Sequence, residues 1–317
     1  MHRARWSSGL FVGMCIWFGM GWCSSHETHI PSKTNEETAI IGTWNIEWLG
    51  NTERRADQPD PDDLAKYIIQ SGVDVLCLNE ITYNTETSEG HGNRTLVETL
   101  QLVSERTQMQ WKHVLFPKLK EGDPDQHVGV AWNSSRVTRQ GDPWRVPIRR
   151  GKERDIWQRH PYGFKLSFGQ GKTDIVVVPL HMKSNRGGED VTSKQRALEA
   201  QTLLRCLGEM QRHFDDDDLV LLGDTNVMKQ SELTLPRITF NGFRDLNAGQ
   251  HMTWIKSDRY PAAPFDRIFV PDDQPEFADS QLRVMRENHL GSEAAFRSKM
   301  SDHYMVTTTI RIMADDD

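Results

Sequence analysis

The sequence predicts an α/β protein in which two β-sheets pack on one another with helices outside. Three observations predict it. Apolar runs of strand length, such as "VDVLCLNEI", "TDIVVVPLH" and "LVLLGD", recur along the chain between turn-forming residues. Helical segments are few and fall between the strands, not in a block of their own. The 317 residues, 37% hydrophobic and including ten Trp and twelve Phe, can bury one large core.

Taken in order, a first strand is expected over 39–46, where "GTWNIEWLG" starts as a buried run and is interrupted by Asn45 and Glu47. "DPDD" starts an amphipathic helix over 61–71, because Asp caps a helix and Pro suits its first turn. A strand over 73–79, a glycine-rich polar loop over 84–94 and a helix over 95–107 follow. Strands are expected at 112–116, 127–133, 163–168 and 173–180. A long helix is expected over 192–214, where Leu198, Leu203, Leu204 and Leu207 fall on helical spacing. The run Asp215–Asp218 reads as a solvated turn, with a calcium site as the alternative, before a strand over 219–224. Later strands are expected at 265–270, 281–286 and 304–312.

The N-terminus reads differently. Arg3 and Arg5, the apolar run Leu10–Trp22 and then "CSS" have the layout of a secretory leader over residues 1–25. The run is shorter than the roughly 20 residues of a membrane-spanning helix and contains glycines. Cleavage after Ser25 and lipidation of Cys23, which would tether the protein to a membrane, are alternatives. The expectation is an exported protein, periplasmic or extracellular, with a polar tether over 26–38 and one domain over 39–313. Without the two leader arginines, 36 of the 38 basic residues face 45 acidic ones, a net charge of −9. No global basic field draws polyanions to such a body. Cys77 and Cys206, the two cysteines outside the leader, are too few for a disulfide framework and read as core fillers.

Polar residues collect at strand ends. Asn45; Asn79 and Glu80; His181, Lys183 and Ser184; Asp224 and Asn226; Asp266; and Asp302 with His303 each sit at the end of an apolar run. Singly, each is an ordinary turn former. Together they offer hard oxygen ligands suited to Mg²⁺ or Mn²⁺, with imidazoles and an ammonium for proton transfer or charge neutralisation. No phosphate-binding glycine loop or cysteine nucleophile motif competes with that set. "GDTN" alone also fits dinuclear metallophosphatases, but their other His-bearing motifs are absent.

The ordered motifs "TWNIEWLG", "LCLNE", "RHPYGFKL", "PLHMKS", "LLGDTN", "FDRIFV" and "MSDH" resemble the endonuclease/exonuclease/phosphatase superfamily over roughly residues 39–312. The resemblance implies a four-layered α/β sandwich. It implies that Asn45, Glu80 and Asp302 hold a divalent metal and that His303, oriented by Asp266, is the general base. Asp224 then positions water or serves the leaving group, while His181 and Asn226 donate to phosphoryl oxygens. Arg159, Lys183 and Ser184 fall to substrate binding. Thr225 departs from the bulkier residue usual in the family, without touching Asp224 or Asn226. Glu47 should share a face with Asn45 by strand alternation.

The leading functional expectation is a metal-dependent phosphodiesterase acting on nucleic acid. Arg145, Arg149, Arg150, Lys152, Arg154 and Arg159, gathered with Trp144 and Trp157, are a local basic and aromatic cluster that suits a phosphate backbone. A phosphatase or phosphodiesterase for a small molecule or a lipid headgroup is the alternative. A binding protein without catalysis is disfavoured by the complete polar set. No protein partner is evident, and a monomer is expected.

Overall fold

The computed structural model describes residues 37–88, 90–119, 123–147 and 156–315. The leader, most of the tether, and Arg149, Arg150, Lys152 and Arg154 of the basic cluster lie outside the described residues. All described residues belong to one compact unit, Pro31–Asp317.

Two six-stranded sheets form the centre. The first contains β1 (Thr38–Leu49), β2 (Val75–Ile81), β5 (Trp111–Leu115), β6 (His127–Asn133), β13 (Arg283–Val284) and β14 (Val306–Arg311), ordered β13-β14-β1-β2-β6-β5. The second contains β7 (Thr138–Arg145), β8 (Tyr162–Ser167), β9 (Asp174–His181), β10 (Leu219–Asp224), β11 (Phe243–Asp245) and β12 (Asp266–Pro271), ordered β11-β12-β10-β9-β8-β7. A small hairpin of β3 (Thr85–Thr87) and β4 (Gly90–Gly92) lies in the polar loop expected over 84–94.

Each sheet has one parallel pair, β1 with β2 and β9 with β10, and antiparallel neighbours elsewhere. These central strands are buried on both faces, which is why they read as continuous apolar runs. Alternate residues divide between layers. Ile41, Val75, Cys77, Val177, Val220 and Leu222 fill the space between the sheets. Trp44, Ile46, Leu76 and Leu78 pack outward beneath α1 (Pro61–Ser71) and α2 (Arg94–Thr107). Val176, Val178, Leu219 and Leu221 pack beneath α3 (Glu189–Leu204), α4 (Leu207–Phe214) and α5 (Thr234–Thr239). The result is helix, sheet, sheet, helix. Each large apolar side chain so buried contributes roughly 1.5–3 kcal/mol.

Local signals place the helices. The Asp60 side chain accepts the Asp62 N–H at 2.8 Å, Pro61 occupies the first turn, and Gly72 ends α1 at φ 69°. Asn93 caps α2 through the Leu96 N–H at 3.0 Å.

Several boundaries differ from expectation. The long helix breaks at Arg205 and Cys206 into α3 and α4, and Leu198 faces solvent. The strand expected over 281–286 is only two residues long, and α5, β11 and α6 (Glu293–Lys299) were not anticipated. β7 was also missed. It is an edge strand of mostly polar, partly exposed residues whose Gly141-Asp142-Pro143 reads as a turn, and its pairing shifts between Gln140 and Trp144. Both cysteines are free and buried. Among the described residues, no helix is long and apolar enough to cross a membrane.

Candidate active site

Topology brings the strand ends together. Parallel β1 and β2 carry Asn45 and Glu80 near their C-terminal ends, and parallel β9 and β10 end at His181 and Asp224, which lie in register. β12 and β14 run antiparallel to their neighbours, so their first residues reach the same rim. Asp266 pairs directly with Asp224, and His303 precedes β14. The rim encloses a cleft of about 540 Å³ lined by Glu47, Glu80, Arg159, His181, Ser184, Asp224, Asn226, Asp302 and His303, among others.

One buried amide fixes the two halves. Asn79 donates to the Leu180 carbonyl at 3.0 Å and accepts the Asp224 N–H at 3.2 Å, so β2 is hydrogen-bonded across the core to β9 and β10. Gly223 allows the close approach. Its φ is +153°, and a Cβ there would lie 1.9 Å from the Leu180 carbonyl oxygen. The rim itself is strained: Glu47, Trp48, Glu80 and Asn226 all adopt positive φ. Glu47 reaches the cleft for that reason. β1 is irregular there, its register with β2 shifting between Asn45 and Leu49, and the Glu47 N–H bonds back to the Asn45 Oδ1 at 3.0 Å.

Carboxylates crowd the centre. The ligand atoms of Glu80, His181 and Asp224 lie within 4.8 Å of one another, close enough to share one ion. His181 Nε2 is 3.6 Å from Glu80 and 3.7 Å from Asp224. The expected trio of Asn45, Glu80 and Asp302 is arranged differently. The Asn45 amide turns its Nδ2 to Glu80 at 3.2 Å and to Asp224 at 3.0 Å, acting as a donor to both. Asp302 accepts from Trp254 Nε1 at 2.8 Å and lies 3.8 Å from His303 Nε2. Burial and then the Asp302 charge raise the Glu80 carboxyl. Burial first, with Asp266 also raising it against His303, pushes Asp224 up to about 6, and burial and Asp302 push Glu47 up to about 7. Hard oxygen donors whose charges raise one another, with an imidazole at hand, fit a divalent cation such as Mg²⁺ or Mn²⁺.

The two histidines are opposites. His303 Nδ1 is 2.8 Å from Asp266, which fixes the proton on that nitrogen and leaves Nε2 facing the cleft. Burial works against its charged form, but Asp266, Asp224 and Asp302 outweigh it and hold His303 well above the usual imidazole value. Its backbone is anchored by Ser301, whose hydroxyl donates to the Asn45 carbonyl at 2.6 Å and accepts the His303 N–H. His181 is held well below the usual value by burial, Arg159 and His303.

Arg159, 6% exposed, lines the cleft and donates to the Met182 carbonyl at 2.7 Å, while its Nε has no partner among the described residues. Ser184 lines the cleft as expected. The Lys183 ammonium is instead turned to the Ser184 and Arg186 carbonyls, at 3.3 and 3.2 Å. Asn226 donates to the Met182 carbonyl at 3.3 Å. Sequence reasoning missed the clamp role of Asn79, Arg186, and Trp254, Tyr260 and Phe265, which form an aromatic wall with Trp48. Arginines stand over three of those rings: Arg54 over Trp48 at 5.4 Å, Arg297 over Trp254 at 5.3 Å and Arg259 over Tyr260 at 5.3 Å. The signal existed in "TWIKSDRY", which interleaves aromatic and basic residues.

Solved structures share this fold at low identity. A mannosyl-6-phosphatase of Bacteroides thetaiotaomicron is 13% identical, with a TM-score of 0.59, covering 86% of this chain and 99% of that one. The human Nocturnin catalytic domain with bound sulfate is 14% identical, with a TM-score of 0.55 and coverage of 87% and 95%. D. rerio TDP2 complexed with a single-strand DNA product is 15% identical, with a TM-score of 0.51 and coverage of 86% and 98%. No curated protein sequence matches the chain significantly. The model of the endonuclease/exonuclease/phosphatase family matches residues 42–303, a span that contains every candidate site residue from Asn45 to His303, and the chain accordingly belongs to that family of phosphoester hydrolases.

Proposed function

We propose that the chain is a divalent-cation-dependent phosphodiesterase that cleaves nucleic acid with a water activated by His303. The observation that carries the reading is the His303–Asp266 pair aimed into the same cleft as Glu80, His181 and Asp224. Glu80 and Asp224, with Asn45 and Asp302 beside them, would hold the cation, which supplies positive charge for the phosphoryl oxygens. His303 takes the water proton at Nε2, while Asp266 stabilises the imidazolium that forms. Asp224 orients the water. His181 and Asn226 donate to the non-bridging oxygens, and Arg159 adds charge from the cleft wall.

Nucleic acid is favoured over other phosphoesters by the aromatic wall. Cleft-lining rings with arginines over them suit stacked bases and a tracking backbone. D. rerio TDP2, with its single-strand DNA product, offers a precedent on the same fold. A phosphorylated sugar or lipid headgroup is the second reading, favoured by the acidic net charge of −7 and by the mannosyl-6-phosphatase neighbour. Incubating the protein and Mn²⁺ with single-stranded and duplex DNA, RNA, bis-p-nitrophenyl phosphate and sugar monophosphates tests the choice. Cleavage of the diesters is expected, and turnover of monoesters alone would reverse the order. Export through residues 1–25 is part of the same proposal, and a periplasmic reporter fused to those residues tests it.

A further inference from the structure

α3 buries polar side chains on the face that packs against the second sheet. Thr192, Arg196 and Glu199 lie on one helical face and are 0%, 0% and 1% exposed. None of them lines the cleft. Their partners lie in the segment that leaves His181. The Lys183 N–H donates to Glu199 Oε2 at 2.8 Å, and the Lys183 carbonyl accepts from Arg196 Nη1 at 2.9 Å. The same Nη1 donates to Asn185 Oδ1 at 3.1 Å. Arg196 cannot swing away, because Nε and Nη2 are bound to the two carboxylate oxygens of Glu232 at 2.7 and 2.8 Å.

Asn185 passes the constraint onward. Its Nδ2 donates to the Asn226 carbonyl at 2.9 Å, and Asn226 donates to the Met182 carbonyl. A closed ring of hydrogen bonds therefore ties α3 to residues 182–185 and to Asn226, whose φ of 53° needs support. We infer that Arg196 and Glu199 are positioning residues, through which α3 presets residues 183–186 and Asn226 as the phosphoryl-facing edge of the cleft. The inference rests on the phosphoester reading of that cleft. Stability alone does not demand these groups, since a buried ion pair is often replaceable by apolar side chains of similar volume. Apolar side chains cannot direct a backbone N–H and a carbonyl. Burial pushes the Glu199 carboxyl up to about 8, so near neutral pH a glutamine reproduces both its shape and its charge.

Hydrogen exchange of residues 182–187, followed by mass spectrometry, and steady-state hydrolysis of bis-p-nitrophenyl phosphate test the role together. Glu199→Leu should speed exchange in that segment while β9 and β10 stay protected. It should lower kcat about 10- to 100-fold, as loss of a partner that orients an active-site group does, and weaken inhibition by inorganic phosphate. Glu199→Gln should stay within about threefold of wild type. Arg196→Met should behave as Glu199→Leu does. Should it fail to fold, the double variant R196M/E232M removes both charges and makes the same comparison. Wild-type exchange or wild-type turnover in Glu199→Leu would overturn the inference. Absence of ester hydrolysis by the wild-type protein would sink the functional reading instead, while the exchange data still decide whether α3 holds the segment.

Discussion

His303 sets the expected pH dependence. Asp266, Asp224 and Asp302 raise its proton affinity against the effect of burial, and a base must be unprotonated to act. Hydrolysis should therefore rise with pH, with the acidic limb of kcat/KM above the ordinary imidazole value of about 6.5. Asp266→Asn removes the charge that raises His303 most. It should move the limb down and lower turnover by about 10²-fold or more. The same charge acts on folding. A histidine whose pKa is raised in the folded state adds stability below its unfolded pKa, and that stability is lost as pH rises through the folded value. Asp266→Asn should thus cost more melting temperature near about pH 6 than in alkaline solution. An unmoved limb would deny His303 the role of base.

Asn79 carries a second residue-scale expectation. Replacing it with Leu leaves the Leu180 carbonyl and the Asp224 N–H without their buried partner, at a cost of about 1–3 kcal/mol each. A urea melt of Asn79→Leu should show the loss, and turnover should fall with it because β2 and β10 carry Glu80 and Asp224. Asn79 was visible in the sequence only as a neighbour of Glu80. Its clamp crosses between sheets, a contact that no local pattern encodes. His303, Asp266 and Asp224 were legible because each stands where an apolar run begins or ends. Glu47 was placed on the correct side for the wrong reason, since its positive φ, not strand alternation, turns it into the cleft.

At the scale of elements, legibility followed burial. β2, β6, β9 and β10 are sealed on both faces and read as uninterrupted apolar runs. β7 sits at an edge, so solvent permits the glycine, aspartate and proline that disguise it. α3 looked like an ordinary amphipathic helix, but Arg196 and Glu199 occupy its buried face and Leu198 its exposed one. The aromatic wall escaped notice because most of it belongs to the irregular stretch before β12, where no period guides the eye. Gly223 gives the strictest element-level test. A Cβ at that position meets the Leu180 backbone at 1.9 Å, and neither strand can retreat without parting the pair in register. Gly223→Ala should lower the melting temperature severely or abolish soluble expression, whereas Gly208→Ala, in α4 with helical φ and only side-chain ends at 3.6 and 3.9 Å, should do neither.

The whole molecule is a frame that holds two parallel strand pairs rim to rim. Its sheets supply Asn45 and Glu80 from one side, and His181 and Asp224 from the other, so the site exists only when both sheets are packed. The central claim is that these groups form one divalent-cation centre serving a phosphoester. Calorimetric titration of Mn²⁺ into chelator-stripped wild-type protein and Glu80→Ala, with hydrolysis of bis-p-nitrophenyl phosphate followed on the same samples, tests it most directly. The account predicts saturable binding and cation-dependent turnover in the wild type, and loss of both in a Glu80→Ala variant that keeps its folded circular dichroism spectrum. Full hydrolysis by the stripped wild type in excess chelator, or undiminished binding and turnover in Glu80→Ala, would contradict it.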